Sequence, residues 1–366
     1  ALHWINLGGA VIILAVGLQY LTYKINGTFP QSLRSFQATV SASGRLYDGR
    51  ATGLAFEPSW LAHQLNILYI PLWLGFTASN ESVYQKRLFG KIPYEAILLA
   101  GGIISLFLSF SRIGWISVIV VFMYLLFRLA NSVINSQLER REKAAGIKHS
   151  KKRHFFVKLL LWLLLLIILL LLVFGAGLIM RRLDPRMEQL FDVTLLKQFG
   201  ILGWASRLSF AERIIYWQSA FNVFVDYPFF GSGLGVAGYY FPETLPSFGY
   251  QLPEILSILI YDNFIPNAKN LWARLLAETG IVGFSVFVAW VVEHWRNAKA
   301  VEKRKQSGLF TAMGLAGQLL IIALIVEGFS LDTFGLPYYW VGLGMIVASW
   351  RAKLEHSDSK LKRKSA

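Results

Sequence analysis

The stretch LLLWLLLLIILLLLVF, Leu159–Phe174, is an unbroken apolar run. It approaches the roughly 20 residues that a helix needs to cross a bilayer. The whole chain agrees with it. Of 366 residues 55% are hydrophobic and 16% charged, where soluble domains run nearer to about a quarter charged; the mean hydropathy is +0.49. Strand-like alternation is absent, which disfavours a closed β-barrel, the other fold that satisfies its backbone in lipid. The sequence therefore reads as an all-α polytopic membrane protein with about eight transmembrane helices, near 4–22, 60–78, 94–109, 114–130, 155–179, 269–292, 309–327 and 337–350.

Charge sets the orientation. Most of the 36 Lys and Arg residues fall in 79–93, 131–158, 293–308 and 351–366, and short loops dense in Lys and Arg stay in the cytoplasm. The opposite loops are near charge balance. The net charge of +15 thus reports topology and some attraction to anionic membrane lipids, and no nucleic acid is implied. The chain starts at Ala1 without Met and enters a span within a few residues, so further N-terminal spans are expected before it. We read 1–366 as a single integral membrane domain, with 180–268 as an extracytoplasmic amphipathic-helix loop within it. No internal repeat is visible, which argues against a transporter built from inverted halves.

The long loop is rich in aromatics and carries helical pattern, so it is expected to be ordered. Ser209 and Glu212 read as a capping box. Phe210, Ile214, Trp217, Phe221 and Phe224 then fall on one helix face, and Glu212, Tyr216, Ser219 and Asn222 on another, with Arg213 at its edge. A helix of that kind lies at a bilayer surface, here like a lid over the membrane domain, and Asp226-Tyr227-Pro228 ends it. Gly233-Leu234-Gly235-Val236-Ala237-Gly238 matches G-x-G-x-x-G formally, but without a preceding strand it reads as a tight turn.

Several cations stand at outer ends of spans. Arg112, between two spans almost without a loop, is either a snorkelling anchor or a phosphate ligand, because a guanidinium offers a rigid fork of donors to oxyanions. Arg213, on the lid helix, is either a phosphate ligand of that kind or the partner of Glu212 or Asp226 in a surface ion pair, and Arg45, Arg50 and Arg207 are weaker candidates. Lys269 and Asn270 lie where a helix begins, in a field that favours anions, with Asn267 the expected cap. Arg274 and Glu278 are an i,i+4 pair further into that span. The six His are scattered and no metal-ligand spacing or nucleophile elbow appears.

Lys269-Asn270-x9-Gly280-x2-Gly283 resembles the His-Asn-x9-Gly-x2-Gly signature of the O-antigen ligase and O-antigen polymerase family. Arg50…Gly53…Glu57-Pro58, Ser111-Arg112-x-Gly114, and Arg213-x3-Trp217 leading to Asp226-x-Pro228-x2-Gly231-x-Gly233 also resemble it, in the family's order. The resemblance implies a membrane fold like that of the C-type glycosyltransferases. It implies transfer from an undecaprenyl-pyrophosphate-linked glycan donor to a glycan or lipid-core acceptor, with neither metal nor nucleotide cofactor. Carried over, Lys269, Arg213 and Arg112 are the catalytic candidates, and Arg50, Glu57, Arg207 and Asn270 the substrate-binding ones. Lys269 stands where the ligases have a histidine proposed to activate the acceptor hydroxyl. A lysine is mostly protonated near neutral pH, so a third cation for the pyrophosphate is the expected role, with Glu57, His63 or no single residue as base. The departure favours a polymerase or another glycan transferase over a ligase. The alternative from another class is a lipid-linked glycan flippase or transporter.

Overall fold

The computed structural model describes the chain except residues 42, 85–86, 146–150, 182–187, 189–192, 209, 262–264, 304–307 and 365–366. The described residues form helices joined by turns, with two isolated β-bridges and no strand. They divide into two compact units, Ala1–Trp115 with Val193–Ala366, and Ile116–Asp192. In chain order the helices are α1 Leu2–Asn26, α2 Gln31–Val40, α3 Pro58–Gln64, α4 Ile70–Ala78, α5 Tyr94–Leu108, α6 Arg112–Ala145, α7 Lys151–Arg181, α8 Val193–Arg207, α9 Ala211–Asp226, α10 Phe241–Thr244, α11 Pro253–Leu256, α12 Leu271–Glu302, α13 Gly308–Glu327 and α14 Pro337–Lys364.

Among the described residues, five stretches are long and apolar enough to cross a membrane: Leu2–Asn26, Arg112–Gln137, Phe155–Leu172, Leu271–Glu302 and Gly308–Glu327. Of the three other expected spans, 94–109 falls on the shorter apolar helix α5. The span 60–78 falls on α3 and α4, which are joined by a π-helical turn, Leu65–Tyr69. The span 337–350 falls on the first half of α14.

The smaller unit is the body of α6 with α7. Phe127 meets Trp162 edge to face at 4.1 Å, while Leu160, Leu164, Ile167 and Leu171 on α7 are all exposed. Exposed apolar faces of this size belong in lipid rather than in water. The protein is a membrane protein.

In the larger unit α13 is the central helix, packed between α4 and α12. Small residues allow the approach, as is usual between helices in lipid. A Cβ on Gly75 of α4 would stand 2.8 Å from the Ala312 carbonyl oxygen, and one on Gly314 would stand 2.3 Å from the Glu302 backbone nitrogen. Buried polar groups fix the surrounding loops. Gln19 on α1 donates to Gly53 O at 2.7 Å and accepts from the backbone N–H groups of Thr52 and Gly53 at 3.0 and 2.9 Å. That clasp holds the loop carrying Arg50 and Glu57 against α1.

The long loop has its own core. Ile215, Tyr216, Ala220 and Val223 of α9 pack with Phe241, Leu245, Leu252, Ile255 and Ala277. The inward face of α9 carries Glu212, Tyr216 and Ser219, all buried, while Phe210, Ile214 and Phe221 are exposed. The aromatic side of α9 therefore faces outward, in the arrangement of a helix embedded in an interface.

Two local expectations need correction. Asn267 does not cap α12: Lys269 takes a left-handed φ of 47° and Asn270 is extended, so the helix starts at Leu271. Asn270 Oδ1 is the cap, accepting from Trp272 N at 2.9 Å and Ala273 N at 3.1 Å. Ser209 of the expected capping box lies outside the described residues. The N-cap of α9 is Phe210, with no side-chain cap hydrogen bond, and Glu212 stands at the second helical position.

Candidate functional site

The site is built where α9, α11, the start of α12 and the turn after α13 meet. Its geometry depends on a break in α12. Gly280 has φ 61° and ψ −168°, outside helical space, which frees backbone groups on both sides of it. The segment after α9 takes them up. Ser232 N donates to Ala277 O at 2.9 Å and Gly233 N to Glu278 O at 3.0 Å; Ile281 N and Val282 N donate to Pro228 O and Phe229 O at 2.8 and 3.2 Å. Gly231 lies so close that a Cβ there would stand 2.3 Å from the Glu278 carbonyl carbon. The Asp226…Gly233 motif and the Gly280 motif are thus two halves of one interlock. Gly233 and Gly235, both with positive φ, form the expected tight turn.

The interlock sets α9 against the start of α12, and the cations follow. The Lys269 ammonium bonds the Glu254 carboxylate of α11 and stands 4.9 Å from the centre of the Tyr216 ring. Lys269 N donates to Asp332 Oδ2 at 3.1 Å. Arg213 Nη1 donates to Ser330 Oγ at 3.0 Å, rather than to the Glu212 or Asp226 that its position in sequence suggests. Arg274 pairs with Glu278 at 2.9 Å and also donates to the Asp332 carbonyl. One turn, Ser330–Asp332, therefore touches Arg213, Lys269 and Arg274.

Electrostatics reflect this crowding. Burial pulls the Arg213 guanidinium below its ordinary value, opposed by the carboxylates of Glu254, Glu57 and Asp332. Burial pushes Asp332 up, opposed by Arg274, Lys269 and Arg213. Burial also raises Glu212, and Glu254 adds to that rise. Glu212 Oε2, Tyr216 Oη and Ser219 Oγ, along the inward face of α9, are buried without a hydrogen-bond partner. Such atoms mark places where water or a ligand group completes the bonding.

The other candidates form a neighbouring group. Arg112 Nη2 donates to Leu208 O at 2.7 Å, just ahead of α9. Arg50 Nε donates to Ser109 O at 3.2 Å in the turn before Arg112. Arg207, next to Leu208, is exposed. Glu57 accepts from the Ser59 hydroxyl and acts on Arg213 electrostatically, so its loop reaches toward the first group. Asn270 is buried and its side-chain oxygen caps α12. His63 is buried too, with Nδ1 2.6 Å from Glu327 Oε2, and Asn66 in the π-turn donates to Glu327 and to Gly114 O. Among the aromatics of the loop, Phe241 is in the core, while Tyr239 is exposed and Tyr240 and Tyr250 are partly so.

Glu254, Ser330 and Asp332 were not singled out by sequence. Glu254 is the second residue of a four-residue helix and the other two sit in a short turn. No local pattern links either segment to Lys269. Among the described residues no group of three or more His, Asp or Glu is placed to hold a metal.

A helical membrane protein with arginines and a lysine gathered on one loop-covered face has the makings of an enzyme acting on an anionic, membrane-borne substrate. Residues 96–288, more than half of the chain, match the family model described as O-antigen ligase, and the chain belongs to that family. Membership makes it a glycosyltransferase-like enzyme of polysaccharide biosynthesis that acts on lipid-linked glycan and acceptor substrates. No curated protein matches the sequence.

Proposed function

We propose that this protein transfers glycan from an undecaprenyl-pyrophosphate-linked saccharide to a sugar hydroxyl, at the outer face of the inner membrane, as an O-antigen or exopolysaccharide polymerase or an O-antigen ligase. The observation that carries the reading is the convergence of Arg213 and Lys269 on one turn, beside the group formed by Arg112, Arg50 and Leu208. A leaving pyrophosphate gathers negative charge in the transition state, and preorganised cations stabilise it in place of a metal. Arg213 and Arg112, one on α9 and the other bonded just ahead of it, suit the two phosphates; Lys269 adds a third cation. Arg50 and Arg207 flank Arg112 and suit the lipid-proximal part of the donor, and Glu57 faces the sugar. Asn270 acts by fixing the helix start rather than by direct contact.

In this reading the chain is one integral membrane domain of eight spans, and residues 180–268 face the periplasm. The spans missing from the five apolar stretches are α3 with α4, α5, and α14. The positive charge of the opposite loops supports that orientation.

The test is the lipid-linked glycan of cells lacking the gene. Single repeats accumulating on undecaprenyl pyrophosphate mark a polymerase, and full-length chains stranded on that lipid mark a ligase. Glycan held on the cytoplasmic side instead replaces this reading with a transporter, and an unchanged profile refutes it.

A further inference from the structure

Glycosyl transfer to a hydroxyl needs a proton acceptor, and a protonated lysine is a poor one. Three carboxylates act on Arg213: Glu254, Glu57 and Asp332. Asp332 is turned to the Lys269 backbone N–H, and Glu57 is held by the Ser59 hydroxyl. Glu212 is 6% exposed and His63 2%, the latter locked to Glu327. The Glu254 side chain is 36% exposed and lies on the Lys269 ammonium, itself 31% exposed. Lys269 reaches it from a left-handed backbone conformation, one of four such non-glycine residues among those described. Side-chain-bearing residues are held there only when the surroundings over-determine them, and they gather at functional sites. The Tyr216 ring lies under the same ammonium, so the Lys269–Glu254 pair is braced on two sides.

We propose that Glu254 is the catalytic base of this enzyme and Lys269 the positioning residue that holds its carboxylate toward the acceptor. This rests on the glycan-transfer reading. In the step, the acceptor oxygen bonds to the anomeric carbon of the donor while its proton passes to the Glu254 carboxylate. The bond from that carbon to the pyrophosphate oxygen breaks, its electron pair leaves with the lipid pyrophosphate, and Arg213 and Arg112 hold the new charge. Glu254 then returns its proton to solvent. The Lys269 ammonium holds the Glu254 carboxylate and keeps it from pairing with Arg213, which leaves that arginine for phosphate.

The experiment uses the full chain in lipid nanodiscs, with lipid-linked glycan extracted from a gene-deletion strain as donor and acceptor. Glu254→Gln lowers kcat by about 100-fold or more, the range of a general base, leaves the donor KM within about threefold, and removes the acid limb of the pH profile. Glu254→Gly with added formate regains about tenfold of the lost rate, because the small acid takes the vacated position. Lys269→Arg keeps most activity, and Lys269→Gln loses most of it. A Glu254→Gln protein that keeps kcat within about threefold of wild type overturns the proposal. So does a monodisperse, inactive Glu254→Gly that formate does not rescue, since that outcome marks a structural role. Wild-type protein that fails to transfer the glycan overturns the glycan-transfer reading itself, and is distinguished by a deficit present without any substitution.

Discussion

Replacing Gly280 by alanine tests the interlock on which the site is built. An added Cβ would stand 2.4 Å from the Phe229 carbonyl carbon and oxygen, and the backbone there, φ 61° and ψ −168°, is a region kept almost entirely for glycine. Strain of that kind costs about 1–3 kcal/mol. The 228–233 segment must also retreat by about an ångström to reach ordinary contact, enough to break two of the four interlock hydrogen bonds at roughly 1 kcal/mol each. The expected loss is thus roughly 3–5 kcal/mol, a large part of the stability of an ordinary domain. Gly17→Ala is the control. It lies in α1, where an added Cβ meets nothing within 4 Å, and it changes stability by at most about 1 kcal/mol, in the favourable direction. The assay is the melting temperature and monodisperse yield of each variant in detergent. Gly280→Ala melting together with Gly17→Ala would refute the argument that α12 is broken there and held by the loop.

Arg213→Ala abolishes transfer while membrane insertion, followed by fractionation, stays intact; unchanged product removes this arginine from the mechanism. Lys269→Met loses activity and Lys269→His keeps part of it, measured as glycan transferred to acceptor, and full activity in Lys269→Met would end every role given to this residue. Asn270→Ala loses the cap of α12 and about 1 kcal/mol of stability, read as a lowered melting temperature. Burial raises Glu212, so this group favours the folded state fully below its unfolded pKa, and the contribution is lost as pH rises through the higher folded value. Glu212→Gln, uncharged throughout, therefore melts higher than wild type at pH 7.5, with the gap closing as the pH falls toward about 4. A gap that is constant with pH would show that the carboxylate's ionisation plays no part.

The helices were legible because apolar runs such as Leu159–Phe174 have one physical solution in lipid. The two faces of α9 were legible in its spacing, but which of them is buried was not: Glu212, Tyr216 and Ser219 are buried while Phe210, Ile214 and Phe221 are exposed. The break at Gly280 was not legible either: a glycine inside an apolar helical pattern looks the same whether it bends the chain or only packs closely, and the partner that decides lies fifty residues away. Arg213, Lys269 and Arg112 stood out in the sequence because cations beside apolar spans or on the edge of an amphipathic helix are few. Their carboxylate partners did not, since Glu254 and Asp332 sit in short segments without periodicity, and their meeting with Lys269 is decided by tertiary packing. The misplaced cap had a local cause, because two asparagines three residues apart are equally good caps and the left-handed turn at Lys269 chooses the second.

The broken helix also has a mechanical consequence. Residues 271–279 are bonded to the 228–233 segment through Ala277 and Glu278, and residues 281–302, the longer part of α12, are bonded to it through Ile281 and Val282. Bilayers of different thickness impose different tilts on a spanning helix. Because both sides of the break at Gly280 are tied to one segment, a change of tilt is carried into residues 228–233, which follow directly on α9 and Arg213. The site is thereby linked to the span beside it, and activity is expected to vary with bilayer thickness.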